Sequence, residues 1–134
     1  MTSEIIYKGA LRTEAKHLQS NTVIETDAPT DNQGKGERFS PSDLLATSLG
    51  SCMLTIMGIK ARDMNVDLSQ TKLSVQKFML SDPRRVGKVR IEFELPSLQL
   101  NNKQKQILEN AARTCPVAKS IHPDIEMETV FNWQ

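Results

Sequence analysis

The chain has no surplus of either charge: 17 Lys and Arg stand against 16 Asp and Glu, a formal net of +1 over 134 residues. Without a basic or acidic field there is no electrostatic footprint for nucleic acid or an anionic membrane. The opening Met1-Thr2-Ser3-Glu4-Ile5-Ile6 lacks a basic region followed by a long apolar run. Neither a signal peptide nor a membrane anchor is expected from it, and the chain reads as cytoplasmic. Cysteine is scarce: Cys52 and Cys115 are the only two, too far apart for a Cys-x-x-Cys redox box or a zinc knuckle. The two histidines, His17 and His122, have no metal-ligand spacing to each other or to the cysteines and read as surface residues. Gly34-Lys35-Gly36 lacks the spacing of a phosphate-binding loop and reads as a solvated turn. No internal repeat or low-complexity segment is present.

What remains is enough for one domain with a real core, at 38% hydrophobic and 25% charged residues. Hydrophobic periodicity predicts an α+β chain. Short apolar runs separated by Gly9-Ala10 and Ser20-Asn21 predict an N-terminal three-stranded meander over 4–26. Residues 27–39 are turn-forming throughout, and a loop of that length reads as the edge of a site. Ser40-Pro41-Ser42-Asp43 then announces a helix over 41–63, with a hydroxyl cap, proline at the first position and an acidic residue three beyond the cap. Its Leu44, Leu45, Leu49, Cys52, Met53, Leu54, Ile56, Met57 and Ile59 point in nearly every direction, so it must be buried all round. A single modest sheet cannot wrap it, and a second copy of the chain is the natural cover. Gly50 and Gly58 lower helix propensity by about 1 kcal/mol each, which close helix-to-helix approach would offset.

A hairpin is expected over 71–95, turning at Ser81-Asp82-Pro83-Arg84, with Val89, Ile91, Phe93 and Leu95 alternating against Arg90, Glu92 and Glu94. An Asn-capped helix over 102–114 ends where Pro116 forbids continuation, a short helix follows over 116–121, and a last strand over 125–133.

A thiol becomes a useful nucleophile when a helix N-terminus or a cation stabilises its thiolate, because an ordinary thiol is only about 3% ionised at neutral pH. Cys115 has the first device locally, at the head of the short helix with Lys119 nearby. Cys52, well inside its helix, needs an arginine from elsewhere; Arg12 and Arg38 are the candidates. Spacing alone leaves two readings open: a redox pair, or two small buried hydrophobes.

The segments Phe39-Ser40-Pro41-Ser42-Asp43-Leu44-Leu45, Leu49-Gly50-Ser51-Cys52 and Cys115-Pro116-Val117, in this order, resemble the OsmC/Ohr superfamily of thiol peroxidases. The resemblance covers nearly the whole chain. It implies an intertwined homodimer with two antiparallel sheets around a long buried central helix, and active sites at the subunit interface. It implies also that Cys52 is the peroxidatic thiolate, Cys115 the resolving thiol and Arg12 the activating cation. No cofactor is implied; the substrate is a hydroperoxide, organic ones included, and the reductant an external dithiol, lipoyl-type among them. Members with organic-hydroperoxide activity carry Asn-Pro-Glu-Gln where this chain has Ser40-Pro41-Ser42-Asp43, and their glutamate partners the arginine. Here Ser42 takes that place, with Asp43 and Glu37 as possible substitutes. The rival readings are a dimeric binder of small apolar ligands with core cysteines, and a thiol redox sensor that oxidises without efficient turnover.

Overall fold

In the computed structural model, which describes residues 1–134, the Ser-Pro-x-Asp signal does what its residue types require. The helix α1 runs over Pro41–Asp63. The Ser40 hydroxyl accepts the Asp43 N–H at 3.0 Å, and the Asp43 carboxylate accepts the Ser40 N–H at 2.9 Å, a reciprocal cap for two otherwise orphaned donors.

Two compact units divide the chain, residues 1–45 and 46–134. The first holds the meander: β1 (Ser3–Gly9), β2 (Arg12–His17) and β3 (Val23–Asp27), all antiparallel in the order β1-β2-β3. Its buried residues are polar: Thr26, Asp27 and Ser40. Its large apolar side chains stay open, with Ile5 66% and Tyr7 63% exposed, and Ile6, Val23 and Ile24 alike uncovered. This unit therefore has no hydrophobic core of its own. The long loop after β3 carries a 3-10 turn at Thr30–Asn32. It is tied back by the Gly34 N–H to Pro29 O and the Gly36 N–H to Ala28 O. A side chain at position 34 would run into the Ala28 carbonyl, so Gly34 is required by packing.

The second unit is built on α1 and a sheet of β4 (Lys72–Leu80), β5 (Arg85–Leu95) and β6 (Glu126–Trp133), in that order. β4 and β5 form the expected hairpin; Arg85 Nη1 donates to the carbonyls of Ser81 and Pro83 across its turn. β6 lies parallel to β5, so this sheet is mixed where an antiparallel one was expected. The reason is the connection: α2 (Asn102–Arg113) and α3 (Pro116–Ser120) carry the chain back across before β6 begins, as parallel neighbours need. α2 starts with a capping box between Asn101 and Gln104.

The core consists of Leu49, Met53 and Met57 from α1, Val89, Ile91, Phe93 and Leu95 from β5, and Leu108 and Ala112 from α2. Phe93 stacks on Phe131 of β6 at 4.5 Å between centroids. Trp133 Nε1 donates to Glu109 at 3.2 Å, tying β6 to α2. α1 has the length and hydropathy of a membrane span. Its Leu49, Met53 and Met57 face makes it a core helix instead. Burial all round is not reached within one chain: Leu45 and Ile59 stay exposed. A Cβ on Gly50 would stand 2.9 Å from Val75 Cγ2 of β4, so this glycine admits the sheet; one on Gly58 would meet nothing within 4 Å.

Candidate functional site

The second unit brings the two cysteines together. Cys52 sits half-buried on α1, and Cys115 is fully buried at the cap of α3. Cys52 and Cys115 lie close enough for the Cys52 thiol to act on the Cys115 sulfur, and neither cysteine is in a disulfide. Chain direction makes this possible: α2 ends at Arg113, Pro116 blocks its continuation, and the extended Cys115 turns its side chain into the core that α1 builds.

The local setting of Cys115 predicts an activated thiol, and the structure reverses that. Its sulfur does cap α3, accepting the Ala118 N–H at 3.4 Å. Yet burial pushes the thiol up, the Ala118 amide only partly opposes this, and the neighbouring Cys52 sulfur raises it further. A negative charge at Cys115 would lie in apolar surroundings beside another sulfur. Burial thus works against ionisation of Cys115.

The arginine cluster belongs to the first unit. Arg12 opens β2 and lies opposite Asp27, the last residue of β3, in the strand register. Its Nε and Nη2 donate to Asp27 Oδ1 and Oδ2 at 2.7 and 2.8 Å, a two-pronged pair with Asp27 only 1% exposed and Arg12 23%. The Glu37 N–H donates to Asp27 Oδ2 at 3.1 Å. These contacts hold the Asp27 carboxyl below the usual carboxylate range, the Arg12 bond being the largest cause and outweighing burial. Asp27 in turn raises Arg12, which stays charged.

The other candidates have different duties. The Glu37 carboxylate reaches Arg12 Nη2 at 3.4 Å from a 60% exposed position. Arg38 pairs with Glu25 at 3.2 Å and donates to the Glu37 carbonyl, so it serves the loop. Asp43 serves the helix cap, and the Ser42 hydroxyl lies 3.2 Å from that of Ser40. His17 bonds Ser20, and His122 stands exposed beside Asp124. Asp27 was missed from sequence. Its signal is the strand register: a meander turning at Ser20-Asn21 sets Asp27 across from Arg12.

Residues 34–130 match the family of OsmC-like proteins, a span that includes both cysteines and excludes Arg12 and Asp27. The chain belongs to the OsmC-like family. A Psychrobacter arcticus crystal structure, described as a candidate osmotic-stress-induced and detoxification-response protein, is similar to this OsmC-like chain. The two share 58% identity at a TM-score of 0.94, over 98% of this chain and 96% of that one. An organic hydroperoxide resistance protein OsmC from Legionella pneumophila shares the fold at 15% identity and a TM-score of 0.72, covering 98% and 97%. An organic hydroperoxide resistance protein from Elizabethkingia anophelis does so at 14% and 0.76, covering 100% and 97%. No curated protein matches the chain by sequence. The OsmC/Ohr resemblance seen in the cysteine and helix-start motifs is thus met by family and fold alike.

Proposed function

We propose that this OsmC-family protein is a cysteine-dependent hydroperoxide reductase that works as a homodimer. The carrying observation is the proximity of Cys52 and Cys115, with Cys52 half-buried and Cys115 fully buried.

In this reading the Cys52 thiolate attacks the distal oxygen of a hydroperoxide. An S–O bond forms, the O–O bond breaks, and the alkoxide leaves as the alcohol after taking a proton. The Cys52 sulfenic acid then condenses with Cys115: the S–S bond forms and water departs. An external dithiol, lipoyl-type included, restores both thiols, so no bound cofactor or metal takes part. The late role suits a buried thiol, since Cys115 need not meet the peroxide itself. Arg12 is the cation that favours the Cys52 thiolate and the departing alkoxide, supplied by one copy or the other. Homodimer formation is supported by the apolar side chains that a single chain leaves open: Leu45 and Ile59 on α1, and Ile5, Ile6 and Tyr7 on β1. The cytoplasm, where thiols are kept reduced, is the setting that such a cycle needs.

Consumption of cumene hydroperoxide by the reduced protein with dihydrolipoamide tests the reading. Wild type turns over and Cys52→Ser does not; no turnover by wild type, or equal turnover by Cys52→Ser, overturns it.

A further inference from the structure

We propose that Asp27 is the residue that positions Arg12 in this protein, taking the part that a glutamate at the place of Ser42 plays in related peroxidases. The inference rests on the reading of Arg12 as the cation that serves Cys52.

Geometry singles out Asp27 among the carboxylates around Arg12. It receives two parallel bonds, from Nε and Nη2 at 2.7 and 2.8 Å, which fix the plane of the guanidinium as well as its place. The Glu37 carboxylate offers one contact at 3.4 Å from an exposed side chain, too long and too mobile to set an orientation. Glu25 is engaged by Arg38, and Asp43 by the cap of α1. Ser42 carries no charge. The carboxylate of Asp27 is itself held from behind, by the Glu37 N–H at 3.1 Å, and its own backbone N–H is fixed on the Phe39 carbonyl. Arg12 and Asp27 face one another on paired strands, so the clamp is set by sheet register and not by the loop. Nη1 of Arg12 takes no part in the clamp.

A group that acts only through Arg12 must lose its effect when Arg12 is gone, whereas a merely structural group keeps it. The readout is the rate of Cys52 alkylation by iodoacetamide against pH, in the full-length reduced protein, for wild type, Asp27→Asn, Arg12→Ala and the double variant. Asp27→Asn is expected to slow Cys52 about tenfold at neutral pH and to move the alkylation midpoint up by about one pH unit. In the Arg12→Ala background, Asp27→Asn is expected to change nothing further. Arg12→Lys, which keeps the charge and loses the two-pronged bond, is expected to behave like Asp27→Asn and covers the case in which that variant does not fold. The proposal is overturned if Asp27→Asn or Arg12→Lys keeps the wild-type profile, or if Asp27→Asn slows Cys52 equally with and without Arg12. Peroxide turnover is scored separately, so failure of the peroxidase reading and failure of the Asp27 clamp remain distinguishable.

Discussion

Reduced protein treated with iodoacetamide at pH 7 should lose its two thiols at very different rates, Cys52 first. The magnitude follows from the setting of Cys115. An ordinary thiol is about 3% thiolate at pH 7, and burial with the neighbouring Cys52 sulfur leaves Cys115 below that. Cys115 is also wholly inaccessible, so its alkylation waits on local opening. An opening cost of about 2 kcal/mol, modest for a core residue, slows the reaction roughly thirtyfold by itself. The two factors multiply, and Cys52, half-buried on α1, bears no such closure. Peptide mapping by mass spectrometry through a time course reads both rates. Cys115 should label at a comparable rate only once the protein is unfolded in urea. Equal slow labelling of both cysteines in the native state, or Cys115 labelling first, would refute this assignment and favour two core cysteines.

Further outcomes follow from the same contacts. With one equivalent of cumene hydroperoxide, Cys115→Ser should stop at a Cys52 sulfenic acid that dimedone traps, whereas wild type yields no adduct; an equal adduct in both proteins counts against the resolving role, and none in either counts against the Cys52 sulfenic acid. Because Asp27 is held below its unfolded value, its contribution to stability is complete above about pH 4 and is lost as pH falls through the lower native value. The urea midpoint of Asp27→Asn should therefore fall less steeply than that of wild type as pH drops below about 4, and parallel curves would contradict the clamp. Gly50→Ala gains about 1 kcal/mol of helix propensity and incurs about 1–3 kcal/mol of overpacking, since its Cβ would stand 2.9 Å from the stiff Val75 side chain. A net loss of up to about 2 kcal/mol is expected in urea unfolding; a raised midpoint would show that β4 yields without cost.

Local chemistry was legible wherever a few neighbouring residues decide the outcome. Ser40-Pro41-Ser42-Asp43 starts α1 because cap, proline and carboxylate act within one turn. Val89, Ile91, Phe93 and Leu95 announce their strand because one face of β5 is buried. The direction of β6 was not legible: the alternation over residues 125–133 is the same for a parallel or an antiparallel neighbour, and only the return through α2 and α3 settles it. Exposure of the β1–β3 side chains was hidden for a related reason, since a β-pattern records a face without recording what covers it. In the candidate site, the cysteines stood out by scarcity and motif, while their contact depends on tertiary packing. The raised thiol of Cys115 could not be read from its place at a helix head, because burial decides it. Asp27 went unnoticed among turn residues, and only pairing with Arg12 distinguishes it.

The central claim is that Cys52 and Cys115 are one redox couple. Peptide mapping of non-reduced protein after one equivalent of cumene hydroperoxide tests it most directly. The account predicts a disulfide-linked pair of peptides containing Cys52 and Cys115, formed with loss of two thiols per chain and reversed by dihydrolipoamide. Two intact thiols, or oxidised cysteines with no link between these peptides, would contradict it.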